Sequence, residues 1–232
     1  MNPSRKIAVT AGVIFIVATV AAVVAAALTP SLTTADYLTQ FSTHATQVAV
    51  GAIFYLIAAF TSAGIAVSMY PVMKKAGAGL ALGSVVFRAL EAAMYMAAVV
   101  TLLALLKLGQ GFTAAGTADR ASLQAIGNSL VSVHDSASLL GVFAFCLGAF
   151  MYYYLFFQSR LIPRWLSAFG IAAIILMTTA CVLSLLSGSP ITGYIPLVLP
   201  IAVQEMVLAI WLLAKGFSVP TMDAHRQTDL ER

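Results

Sequence analysis

The sequence predicts an all-α fold: a polytopic integral membrane protein built as a six-transmembrane-helix bundle. Three observations predict it. Hydrophobic residues make up 61% of the chain and charged residues only 9%, against about 25% charged in soluble domains. Six apolar runs each approach the ~20 residues that a helix needs to cross hydrocarbon. Residues that break helices separate those runs.

The runs span roughly 7–28, 46–69, 80–106, 136–157, 165–186 and 195–214. Arg5 and Lys6 precede the first, and Ala25-Ala26-Ala27 near its end looks like a signal-peptidase site. The stretch from Ile7 to Leu28 is longer than the roughly 7–15 residues of a signal core, so it is expected to stay as the first helix. Thr29-Pro30-Ser31 ends that helix, Tyr70-Pro71 ends the second, and Gly77-Ala78-Gly79 opens the third. Ile162-Pro163 divides the fourth from the fifth, and Ser187-Gly188-Ser189-Pro190 divides the fifth from the sixth. Pro200 is expected to kink the sixth, because it cannot donate to the carbonyl of Pro196.

The longest connection runs from Lys107 to Asp135. Within it, Leu123, Ile126 and Leu130 share one helical face, which predicts a short separate helix lying on the outer surface. Asp135, followed by Ser136, reads as the N-cap of the fourth helix. Residues 1–217 form one membrane domain on this reading, and 218–232 form a polar tail.

Charge placement orients the bundle. Arg5, Lys6, Lys74, Lys75, Arg160, Arg164, Lys215, Arg226 and Arg232 fall on one side, and only Lys107 and Arg120 on the other. The positive-inside rule then puts both termini in the cytoplasm, N-in and C-in. The net charge of +4 does not indicate nucleic acid, because the cations flank apolar segments. Tyr152, Tyr153, Tyr154, Phe156, Phe157 and Trp165 are expected as an inner interfacial belt, with Tyr37, Phe41, Phe112 and Tyr194 outside. Cys146 and Cys181 fall in apolar runs and read as small core residues. No metal-ligand spacing is present, and no cofactor is expected.

The chemistry-bearing residues stand out because hydrocarbon penalises them, by about 2.5–3.5 kcal/mol each on insertion scales. Arg88 and Glu91 lie three residues apart in the third run, and Glu205 interrupts the last. By helical rise, Glu91 lies ~16 Å from Leu80 and Glu205 ~15 Å from Lys215, so both carboxyls are expected near mid-membrane. Ser84 and Tyr95 share the helical face of Arg88, and Gln204 adjoins Glu205 on a different face. Glu91 and Glu205 are the candidate proton-exchanging carboxyls. Arg88, Ser84, Tyr95 and Gln204 are the candidate substrate-binding residues. Two carboxylates and one guanidinium leave one negative charge over, so one carboxyl is expected to be neutral or to hold a cation.

Several segments together resemble a known family. They are Met1-Asn2-Pro3-Ser4-Arg5-Lys6, Tyr70-Pro71-Val72-Met73-Lys74-Lys75, Phe87-Arg88-Ala89-Leu90-Glu91, Leu161-Ile162-Pro163-Arg164-Trp165-Leu166-Ser167 and Lys215-Gly216-Phe217. The chain is similar to the bacterial membrane family called domain of unknown function 4386. That resemblance implies a six-helix inner-membrane protein and assigns no activity.

Three functions fit these residues. The first is a small-solute or proton-coupled transporter using Arg88, Glu91 and Glu205. The second is an intramembrane enzyme, in which a protonated Glu starts cyclisation or isomerisation of a lipophilic prenyl-type substrate. Tyr55, Phe87, Tyr95 and Phe145 would supply aromatic faces for the developing cation. The third is a non-catalytic structural or regulatory subunit, in which the charges only hold helices together. Membrane lipids and a small or lipophilic substrate are the expected partners. The sequence leaves oligomeric state open.

Overall fold

The computed structural model describes residues 3–218. All its regular structure is helical: α1 Pro3–Leu28, α2 Tyr37–Thr43, α3 Ala45–Met73, α4 Ala78–Ala114, α5 Thr117–Ser159, α6 Arg164–Ser187 and α7 Ile195–Ala214, with a 3-10 turn at Ile191–Tyr194 before α7. Six of the helices are long and apolar enough to cross a membrane. The protein is therefore a multi-pass membrane protein. Of the polar tail expected over 218–232, only Ser218 lies among the described residues.

The six long helices close into a ring in chain order. α1 packs on α3, α3 on α4, α4 on α5, α5 on α6 and α6 on α7, and α7 returns to α1. Short connections allow this, because each sequential pair is an antiparallel neighbour. The closing seam is tied at the end where α1 begins and α7 ends, here the terminal end. Arg5 donates to the carbonyls of Leu212 at 3.1 Å, Leu213 at 2.5 Å and Ala214 at 3.4 Å. These carbonyls lie in the last turn of α7, where the helix leaves acceptors unpaired and its dipole favours a cation. After α7 the chain stays docked: Ser218 N–H donates to the Leu161 carbonyl at 2.8 Å, and Phe217 packs on Phe156.

Two features correct the expectations from sequence. The first is the length of the α4–α5 hairpin. α4 has 37 residues and α5 has 43, about 55 and 65 Å at the helical rise. The hydrocarbon core is only about 30 Å thick. The stretch 107–135 is therefore no loop with a separate surface helix. It is the continuation of both helices, interrupted only at Ala115 and Gly116, which are extended. His134 and Asp135 lie inside α5 rather than capping a helix, and Gly116 is its N-cap. His134 Nδ1 sits 2.9 Å from the Ala98 carbonyl oxygen, tying α5 to α4.

The extension is supported by α2, which builds a second apolar core at the distal end. Tyr37, Leu38 and Phe41 pack there with Val99, Leu102 and Leu105. The Tyr37 hydroxyl donates to Asn128 Oδ1 at 3.0 Å. Gly109 permits the contact, since a Cβ there would sit 2.5 Å from the Leu38 carbonyl oxygen. Tertiary packing of this kind, more than intrinsic propensity, keeps such a stretch helical.

The second correction concerns the aromatics. Tyr152, Tyr153 and Phe156 are fully buried in the main core, and Tyr37 and Phe41 are buried in the second. They are core residues, not interfacial anchors. Tyr154, Phe157 and Trp165 do lie on the surface. Helical periodicity explains the split, because residues 152, 153 and 156 share a face that 154 and 157 do not.

Candidate functional site

One face of α4 turns Ala81, Ser84, Arg88, Glu91 and Ala92 into the protein. The spacing of three and four residues makes that stripe continuous. Arg88 is 2% exposed and Glu91 3%, so neither charge is left to lipid. Arg88 Nη1 lies 3.0 Å from Glu91 Oε2. The two atoms face each other without the alignment of a hydrogen bond, so the contact is chiefly one of charge.

Ser62 on α3 completes this arrangement. Its hydroxyl donates to Glu91 Oε1 at 2.7 Å, and its carbonyl accepts from Arg88 Nε at 3.3 Å. From α5, the Phe145 ring lies under the guanidinium, 4.7 Å from its carbon. Gly148, one turn further along α5, leaves room for the arginine stem; a Cβ there would come within 3.1 Å of Arg88 Cγ. The pair is thus enclosed by α3, α4 and α5. Such enclosure is what a buried ion pair needs to offset its desolvation.

Glu205 is differently placed. It lies ten residues into α7, half-buried. The Tyr152 hydroxyl donates to its Oε1 at 3.4 Å, a long hydrogen bond. Arg88 and Glu91 are within Coulombic reach of it. Among the described residues, no cation comes within ion-pair distance of Glu205. Arg88 is paired instead with Glu91.

The model of a family described as a domain of unknown function, DUF4386, matches residues 10–216. This chain belongs to the DUF4386 family. The match runs from within α1 through α7 and covers the positions of Arg88, Glu91 and Glu205. No curated protein and no solved structure matches the chain. The DUF4386 description names no reaction or substrate, and the chemistry has to come from the residues.

The remaining sequence candidates fall in separate places. Ser84 is fully buried one turn from Arg88, and its Oγ has no hydrogen-bond partner. Tyr95, two turns beyond Arg88 on α4, is half-buried with its ring against Gly141 of α5. Gln204 is fully buried and engaged at both ends. Its Oε1 accepts from the Tyr153 hydroxyl, and its Nε2 donates to the Leu166 carbonyl at 3.2 Å. It joins α5, α6 and α7, on the opposite flank of α7's buried face from the α1 seam.

Ser62, Gly148 and Tyr152 were not among the sequence candidates. Ser62 is a small polar residue in an apolar run, a pattern common to many inert helices. Tyr152 carries a better signal: it lies seven residues beyond Phe145, on the same helical face. Its membership of a cluster of aromatics near a helix end hid that signal. The enzyme reading required an aromatic pocket with a carboxyl at its floor. A cleft of about 300 Å³ does open between α5 and α6, but neither Glu91 nor Glu205 lines it.

Proposed function

We propose that this DUF4386 protein is a proton-coupled membrane transporter in which Glu205 is the proton-exchanging group and Arg88 chooses between two carboxylates. The observation that carries this reading is the uneven pairing of the three charges. Arg88 is held by Glu91 and Ser62, while Glu205, in the middle of α7, has only the Tyr152 hydroxyl. The Arg88–Glu91 pair is neutral as a unit, so the charge of Glu205 is uncompensated. A lone carboxylate at that depth is costly, so the acid carries a proton or a cation there. If Arg88 turns from Glu91 to Glu205, the proton is released from Glu205 and Glu91 becomes the acid in need of one. A swap of partners of this kind supplies two states in which the proton sits on different carboxyls, Glu205 in one and Glu91 in the other, so that it can be taken up in one state and released in the change to the other.

The same geometry supports a structural contribution from the Arg88–Glu91–Ser62 tie, which holds α3 to α4 in the described state. It lends less support to an enzyme on a prenyl-type substrate, because the cleft open to the surface is separate from both carboxyls. On the transporter reading, the cationic terminal end faces the cytoplasm and the protein resides in a bacterial inner membrane. The nine-to-two distribution of Lys and Arg supports that orientation.

The test uses the full chain in proteoliposomes loaded with a pH-reporting dye and challenged with a panel of small cations, amino acids and amphiphilic amines. Solute-dependent proton movement is expected in the wild type. It is expected to vanish in Glu205→Gln with the helical content unchanged. Equal proton movement in the variant, or none in the wild type across the panel, overturns the reading.

A further inference from the structure

The seam between α5 and α6 carries a surface feature that the charged cluster does not use. Gly170 lets α6 lie against the Tyr153 ring, since a Cβ there would come 2.5 Å from the ring's Cδ1. Further from the terminal end, a cleft of about 300 Å³ opens between the helices, with Leu147 and Phe150 of α5 and Ile175 and Thr179 of α6 in its walls. All four are exposed. Toward the terminal end, Tyr154 and Phe157 continue the same face of α5, and Ala172, Ala168 and Arg164 continue the same face of α6. The two faces meet where the Arg164 guanidinium lies over the Phe157 ring, 5.4 Å from its centroid. Between that contact and the cleft, Ala168 and Ala172 keep the wall low. One end of this furrow is thus cationic and the other is an apolar cleft.

We propose that the α5–α6 furrow binds one anionic phospholipid from the leaflet at the terminal end, with its phosphate on Arg160 and Arg164 and the end of one acyl chain in the cleft. The polar end suits a phosphodiester. Arg164 is exposed, and Arg160 lies exposed in the turn just before α6. Neither makes an ion pair among the described residues, and the Phe157 ring takes no hydrogen bond from Arg164. The Tyr154 oxygen accepts from Gln158 Nε2 at 2.8 Å, which leaves its own O–H to donate to a lipid oxygen. The acids among the described residues are Asp36, Glu91, Asp119, Asp135 and Glu205. None of them lies at the terminal end, so an anionic headgroup meets no like charge there.

The spacing suits an acyl chain. Ile175 and Thr179 lie ~16–22 Å along α6 from Arg164 at the helical rise. A leaflet's share of the hydrocarbon is about 15 Å, so the cleft receives a chain where it ends. A second copy of this protein is a poorer occupant. In the same membrane it keeps its own terminal end on the same side, and a two-fold contact along this seam sets Arg160 and Arg164 against their counterparts.

The experiment uses the full chain in lipid nanodiscs. The probe is phosphatidylglycerol with a photoreactive diazirine near the end of one acyl chain, compared with phosphatidylcholine carrying the same chain. Peptide mapping after illumination is expected to place the phosphatidylglycerol adducts on the cleft residues of α5 and α6. The phosphatidylcholine adducts should spread over the exposed faces of the long helices. Unlabelled phosphatidylglycerol should compete for the cleft adduct, and unlabelled phosphatidylcholine should not. Arg164→Gln is expected to cut the cleft adduct about fivefold, the worth of one cation beside an anionic lipid. Lys74→Gln, at the same end on α3, should leave it unchanged. Ala172→Phe, which blocks the furrow and alters no charge, should also reduce it, with the helical content of the wild type. The proposal is overturned if phosphatidylcholine labels the cleft equally, or if Lys74→Gln loses as much as Arg164→Gln. It is also overturned if either Arg164→Gln or Ala172→Phe leaves the adduct at full strength, or if the wild-type cleft stays unlabelled because a second copy covers it, seen as a dimer by native mass spectrometry.

Discussion

Ser62 and Glu91 meet across the α3–α4 seam: the serine hydroxyl donates to Glu91 Oε1 at 2.7 Å while the serine carbonyl accepts from Arg88 at 3.3 Å. One small residue thus serves both members of the ion pair. Ser62→Ala removes the hydroxyl and leaves a buried carboxylate oxygen without its donor. That loss costs about 1–3 kcal/mol. Thermal unfolding in detergent should show a clear drop for Ser62→Ala and a smaller one for Ser62→Thr, which keeps the hydroxyl. An unchanged midpoint for Ser62→Ala would mean the bond contributes nothing.

The charge cluster makes a non-additive prediction. Breaking a buried ion pair from one side typically costs about 3–5 kcal/mol, because the surviving charge is stranded. Arg88 has a second carboxylate within Coulombic reach, so Glu91→Gln leaves it somewhere to turn. The Glu91→Gln variant should therefore fall below that range, and Glu205→Gln should be milder still. The double variant should lose more than the sum of the two, since no carboxylate is then left for the guanidinium. A double-mutant cycle on thermal or denaturant unfolding measures this. Strict additivity would show that Arg88 does not exchange partners.

The distal core rests on a close approach. Gly109→Ala places a methyl group 2.5 Å from the Leu38 carbonyl oxygen, and a backbone atom can yield only by moving α2. Overpacking of this sort costs about 1–3 kcal/mol. Limited proteolysis and hydrogen exchange should show α2 and the segment before it opening, with the ring helices protected as before. Gly111→Ala serves as the control, because nothing lies within 4 Å of a Cβ there. Equal protection in both variants would contradict the docked geometry of α2.

The legible part of this protein is the part that hydrocarbon prices one residue at a time. Arg88, Glu91 and Glu205 are visible because each is costly in an apolar run. The six long helices are visible because spanning demands length and apolarity together. The stretch from Lys107 to Asp135 reads as a connection in the sequence because polar residues follow the end of an apolar run. Lys107 and Asp135 instead lie within α4 and α5, which run on as helices. Tyr152 misled for a related reason. Position near a helix end suggests an interfacial ring, but its burial depends on which way α5 is rotated against its neighbours.

By itself, then, the sequence determined the all-α membrane class, the six long apolar helices and the three charges that have to be accommodated. These follow from local composition and from the 3.6-residue period, which any stretch of chain carries within itself. The tertiary structure alone decided that the helices close into a ring, and that Ser62 serves the Arg88–Glu91 pair while Glu205 is left to Tyr152. Each of these is a contact between residues far apart in the chain. It is set by helix rotation, by small residues such as Gly148 that admit a larger neighbour, and by competition between partners for one guanidinium.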